Sequence, residues 1–220
     1  MKLTAFVTYS YDVVLLIVSI IGIICYKKLT TPFKALVISS ISTFFTTIAS
    51  GILVAIIHTN APVLHVEALT EYIFYAVIYY CFFTNKTIKI ALVISIIVVT
   101  IFSIINALTW QPFLKAFPTN INLATLAILT LLSLLLFRQM LLTPLKTPLL
   151  SQGVFWYNTA ILFYSTTLFL TVGLSNYQLA FHRPLDFLFY LWYAILYIFA
   201  VLVALALLRA SKEDNKNHAI

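Results

Sequence analysis

A chain of 220 residues that is 63% hydrophobic and 9% charged, with mean hydropathy +1.07, has too little polar surface to coat a water-soluble globule of its size. That composition predicts an all-α polytopic membrane protein in contact with the lipid bilayer. The net charge of +7 would suit nucleic acid on a soluble face, but its distribution follows membrane topology, so no nucleic-acid partner is expected.

A helix rises about 1.5 Å per residue, so roughly 20 apolar residues cross a hydrocarbon core of about 30 Å. Seven runs have that character: 9–26, 33–57, 67–84, 88–108, 121–137, 154–174 and 185–208. Pro32, Pro62, Pro112, Pro118, Pro144, Pro148 and Pro184 fall between them, where a missing backbone donor does least harm. Residues 1–208 therefore read as one seven-helix bundle and residues 209–220 as a short cytoplasmic tail. Asp12 interrupts the first run and no small-x-small site follows Cys25, so that run is expected to remain as a span rather than a cleaved signal.

Basic residues orient the bundle. Ten of the thirteen Lys and Arg, from Lys27 and Lys28 to Lys212 and Lys216, fall after the first, third, fifth and seventh runs; Lys2, Lys115 and Arg183 fall on the other side. Cytoplasmic loops accumulate Lys and Arg, which predicts an external N-terminus, a cytoplasmic C-terminus and residence in the cell inner membrane. Cys25 and Cys81 then lie on the cytoplasmic side, where no structural disulfide is expected, and no Cys/His spacing for zinc occurs.

The runs differ in character. Run 88–108 is almost purely aliphatic and is expected against lipid. Run 33–57 carries Ser39, Thr43, Thr46 and Ser50 at spacings of four, three and four, one helix face, which reads as a close-packing seam. Asn158 and Ser165 in the sixth run are expected to bond between helices.

Polar residues converge on the external side. Asp12 starts the first run, His58 and His65 flank the loop after the second, Glu67 and Glu71 open the third, and His182, Arg183 and Asp186 surround the start of the seventh. A charged group in hydrocarbon costs roughly 2.5 to 3.5 kcal/mol on insertion scales, so such residues pair or face a bundle interior. Glu67, Glu71, Tyr75 and Tyr79 form one helical stripe, and Asp186, Tyr190, Tyr193 and Tyr197 form another. Facing inward, the two stripes would line an outward-open polar cavity with a tyrosine floor. Its candidate ligand- or proton-binding residues are Asp12, Glu67, Glu71, Tyr75, Asp186, Tyr190 and Tyr193. Plainer roles exist for several: Tyr9, Tyr11, Trp110, Tyr190 and Trp192 as interface anchors, Asp186 as a helix cap, and Arg183 as an ion-pair partner for Asp186 or Glu67.

The chain has no GxSxG, P-loop or HExxH motif, which removes the sharper hydrolase and NTPase readings. The last run holds no lysine for a retinal Schiff base, and no run is Arg-rich like a voltage sensor.

The first inner loop, Lys28-Leu-Thr-Thr-Pro-Phe-Lys34, the segment Phe155-Trp-Tyr-Asn-Thr-Ala-Ile-Leu-Phe-Tyr-Ser-Thr-Thr-Leu-Phe169 and the aromatic last run Trp192-Tyr-Ala-Ile-Leu-Tyr197 resemble small stand-alone seven-helix membrane proteins of Bacteroidota-type bacteria. Those proteins are similar to the membrane input modules of sensor histidine kinases. The resemblance implies a sensory or accessory role with no catalytic residue.

The expected function is thus a non-enzymatic, receptor-like membrane sensor. Its outer cavity would take a small-molecule ligand or protons, and it would signal to a membrane or cytoplasmic partner chain without a cofactor. The first alternative is a metal-dependent membrane hydrolase with zinc held by some of His58, His65, Glu67, His182 and Asp186. The second is a proton-coupled carrier, disfavoured by the lack of Gly/Pro-broken spans.

Overall fold

Proline decides where two of the helices begin. It lacks a backbone N–H and has a preset φ, so it is at home in a first helical turn. In the computed structural model Pro32 and Pro62 occupy that place in α2 (Thr31–Ile57) and α3 (Ala61–Phe82). The residues described are 2–142, 148–181 and 187–217, with side chains over 6–142, 148–175 and 187–212. The other helices are α1 (Lys2–Cys25), α4 (Lys86–Thr109), α5 (Thr119–Leu142), α6 (Gly153–Phe181) and α7 (Phe187–Asn217). All seven are long and apolar enough to cross a membrane, and no strand occurs among the described residues.

Two boundaries move in ways that matter. Helix α3 starts at residue 61 rather than 67, because Pro62 opens the helix instead of breaking the chain. Glu67 and Glu71 therefore sit well inside it. Helix α7 continues to Asn217, through residues expected to form a tail, since 209–217 are polar but contain no Gly or Pro to stop the helix.

Helices α1, α2, α3, α5, α6 and α7 pack side by side in that order, and α7 returns to α1, closing a ring of six. Helix α4 stands outside, on α3 and α5. Its buried residues Leu92, Val99, Ser103 and Asn106 follow spacings of seven, four and three, a single stripe, while Ile94, Ile97, Ile101 and Leu108 are exposed. One stripe suffices to dock a helix whose remaining surface suits lipid. Tyr72 Oη meets Ser95 Oγ at 2.7 Å across this contact.

The ring is solidly filled at the end that carries the α1–α2, α3–α4 and α5–α6 links. Phe33, Tyr79, Phe83, Leu136, Tyr157 and Leu207 are all buried there. Close approach seals it further. A Cβ on Gly153 would lie 2.7 Å from Ala210 Cβ and 2.9 Å from the Ala206 carbonyl oxygen, so the start of α6 rests directly on α7 backbone. Gly153→Ala should therefore lower stability by about 1–3 kcal/mol, the range for overpacking, as read from thermal unfolding in detergent. Gly51→Ala, with no atom within 4 Å of the new Cβ, should not destabilise the protein in the same assay.

Candidate functional site

The opposite half of the ring is hollow. Helix α2 presents Ser39, Thr43, Thr47 and Ser50 to the interior, and α3 presents Ala68. These small side chains leave a cavity of about 320 Å³ where the other end has large rings. Every helix of the ring lines it and α4 does not. It runs from Ser50, Asn60 and Phe117, at the end with the α2–α3 and α4–α5 links, down to Val18, Leu36 and Val203.

Two carboxylates project from its α3 wall. Glu71 lies ten residues past Ala61, about 15 Å along the helix at 1.5 Å per residue. A helix crossing a core of about 30 Å thus holds this group near mid-depth. Tyr75 Oη donates to Glu71 Oε1 at 2.9 Å, and Tyr164 Oη from α6 reaches Oε1 and Oε2 at 3.1 Å each. The Tyr164 ring lies on Phe199 of α7, centroids 4.5 Å apart, so three helices meet around one carboxylate. Glu67, one turn nearer the mouth, accepts from Thr46 Oγ1 of α2 at 3.2 Å. A recess of about 10 Å³ between α2 and α3, lined by Ser42, Thr46, Thr70 and Phe74, also touches both carboxylates. They form part of the partition between that groove and the main cavity.

Among the described residues the lining contains no Lys, Arg or His, and Glu67 and Glu71 are its only carboxylates. The rest of the wall is apolar, hydroxylated or aromatic. Tyr11 sits edge-on to Tyr193 and Tyr197, each at 5.8 Å. Thr8 bonds Tyr193 Oη at 3.1 Å and Ser10 bonds Tyr197 Oη at 2.5 Å, which stitches α1 to α7. At the mouth, Phe117 of the α4–α5 link meets Trp192 of α7 edge to face, 6.1 Å apart. His65 steadies that link: its Nε2 lies 3.1 Å from the Ala116 carbonyl oxygen and its ring packs beside Phe113.

Of the residues expected at the site, Glu67, Glu71, Tyr75 and Tyr193 line the cavity together. Asp12 does not. It lies one step round α1 from Tyr11, half-buried, and its enclosed Oδ1 accepts no hydrogen bond from the described residues. Tyr190 is 41% exposed on the outer surface. Asp186, His182 and Arg183 lie outside the described residues. His58 is exposed at the C-terminal end of α2, with φ of 58°, while His65 is buried under the α4–α5 link. No group of three His, Cys, Asp or Glu side chains able to hold a metal occurs among the described residues.

Sequence reasoning missed Tyr164 and Phe199 as partners of Glu71, and read Tyr11 as an anchor. The one available signal was the need of a deep carboxylate for donors from other helices. The hydroxyl line on α2 proves to be largely a cavity wall: Thr43 and Thr47 bond back to carbonyls of their own helix, and only Thr46 and Ser50 bond beyond it.

Below the cavity a polar node closes the floor. Tyr79 Oη donates to Asn158 Oδ1 and contacts Ser133 Oγ, both at 2.9 Å; Ser133 Oγ reaches Asn158 Oδ1 at 2.8 Å; and Asn158 Nδ2 donates to the Ser133 carbonyl at 3.0 Å. The interhelical bonding expected at Asn158 is thus present, and Ser165 accepts from Thr130 at 2.9 Å. A double-mutant cycle with Tyr79→Phe and Asn158→Leu should give a coupling of about 0.6–1.7 kcal/mol, the range measured between membrane helices, in detergent unfolding. Comparison with protein-family models, with curated proteins and with solved structures yields no match to this chain.

Proposed function

We propose that the protein is a multi-pass inner-membrane receptor, with its N-terminus outside, whose cavity takes a small ligand and passes the event to a partner chain on the cytoplasmic side. The observation that carries this reading is a cavity of about 320 Å³, open at one end and in the usual range of roughly 300–1,000 Å³ for ligand sites, with two carboxylates in its wall. A void lined with such costly groups is an expensive arrangement for a protein that only needs to span a bilayer.

The basic residues support the orientation. They gather beside the filled end, so the hollow end is the external one. Helix α7 supports the coupling. Its 31 residues extend about 46 Å at 1.5 Å per residue, longer than a hydrocarbon core of about 30 Å. The same rod carries Trp192, Tyr193 and Phe199 in the cavity and Ala206 and Ala210 against Gly153 at the other end. A shift of α7 at the ligand would therefore reach the cytoplasmic surface.

The mid-depth carboxylates also favour a second reading, a proton-coupled carrier. That function would require the node of Tyr79, Ser133 and Asn158 to come apart in each transport cycle, and acidification-driven uptake into vesicles would reveal it.

Orientation is tested with Cys25 and Cys81 replaced by Ser. A cysteine at Asn60 should react with a membrane-impermeant maleimide in intact cells, and one at Asn85 only after permeabilisation; the reverse pattern would invert the receptor. Binding is tested by thermal shift with a library of small molecules balanced in charge. A ligand at 100 times its Kd should stabilise the protein by about 2.7 kcal/mol. Ala68→Leu, which narrows the cavity, should abolish that stabilisation while leaving the unliganded protein folded.

A further inference from the structure

We infer that the cavity selects organic cations, binding an ammonium head at Glu67 and Glu71 and the attached body among aromatic rings. This rests on the reading of the cavity as a ligand site and specifies its ligand class.

Three observations converge. Among the described residues the lining carries two carboxylates and no Lys, Arg or His, a set that offers acceptors to an ammonium head and no cationic partner to an anionic guest. The walls include the aromatic residues Tyr11, Tyr164, Trp192 and Phe199, and a cation over an aromatic face is attracted by the ring quadrupole, most strongly when desolvated. The volume is that of an organic molecule, and no group of three His, Cys, Asp or Glu side chains able to hold a metal stands among the described residues. Carboxylate and aromatic wall together make the combination that recognises alkylammonium groups.

The hydrogen bonds assign roles to the two glutamates. Glu71 is occupied: its oxygens accept from Tyr75 and Tyr164. Among the described residues Glu67 accepts one bond, from Thr46, and stands nearer the mouth, which leaves it lone pairs for an N–H donor or close approach for a quaternary head. Glu67 is accordingly the contact group, and Glu71 lies one turn deeper, held by Tyr75 and Tyr164.

The test uses the full chain in nanodiscs at neutral pH with three probes of similar size: benzyltrimethylammonium, benzyl alcohol and benzoate. Binding is read by calorimetry and by the fluorescence of Trp192 in a variant with Trp110→Phe and Trp156→Phe. The cation should bind about tenfold or more tighter than the alcohol, the scale of a desolvated cation–aromatic contact, and benzoate should not bind. Glu67→Gln should weaken the cation by a similar factor and leave the alcohol unchanged. Equal binding of cation and alcohol, or binding of benzoate, overturns the cation selectivity while leaving a ligand cavity standing. Binding of none of the three overturns both. The selectivity of the unsubstituted protein decides the matter even if a Gln variant fails to fold. Displacement of the cation by sodium at constant ionic strength would assign the site to an inorganic ion and overturn the proposal.

Discussion

The architecture turns on one carboxylate placed half-way along a helix in an apolar bundle. Water cannot solvate it there as in bulk, so hydrogen-bond donors must come from the protein, and a single helix cannot supply enough of them. Glu71 takes one tyrosine from its own helix and one from α6, and Phe199 of α7 supports the second ring. Separating α3 from α6 would strip the group of Tyr164. The pairing thus draws these helices together at mid-depth without filling the space beside them.

Apolar packing alone would favour a bundle filled from end to end. This one is filled at one end and hollow at the other because side-chain size changes along the helices. Around the filled end α3 contributes Tyr79 and Phe83, α6 contributes Tyr157, and Gly153 lets α6 and α7 touch through backbone. Around the hollow end α2 and α3 contribute hydroxyl and methyl side chains. In lipid no hydrophobic force closes such a gap, since hydrocarbon surrounds the bundle as well as filling it. Around that end polar contacts join neighbouring elements of the wall, among them Thr46 with Glu67, Ser10 with Tyr197, and His65 with Ala116.

Much of this was legible in the residues, and the failures have physical causes. Span number and the outward place of α4 follow from hydropathy and from the aliphatic surface of 88–108. The stripe from Glu67 through Tyr75 pointed inward as its spacing required. Asp12 broke the pattern: a helix turns about 100° per residue, and of this adjacent pair Tyr11 faces the cavity while Asp12 does not. Tyr190 shares a nominal stripe with Tyr193, yet a stripe is wider than the cavity it overlooks, and Tyr190 is exposed outside the cavity lining. The role of Tyr164 was hidden for a different reason. Sequence spacing reports which residues share a face of one helix and says nothing of the rotation between helices 93 positions apart in the chain. Pro62 misled in the start of α3 because proline reads equally as a break and as a first turn.

The division into a hollow half and a sealed half also limits how the molecule can move. The floor node joins α3, α5 and α6 through hydrogen bonds among fully buried side chains, where an unpaired polar group is costly. Among the described residues the cavity above it has no such node across its width. Helix α7 crosses both halves. Its upper part meets α1 through tyrosine edges, and its lower part is held against Gly153 by direct backbone contact. The two ends of α7 are thus held by different means, close backbone packing at Gly153 and tyrosine hydroxyls against α1, so a guest that displaced Phe199 or Tyr193 would act on the end held by side chains.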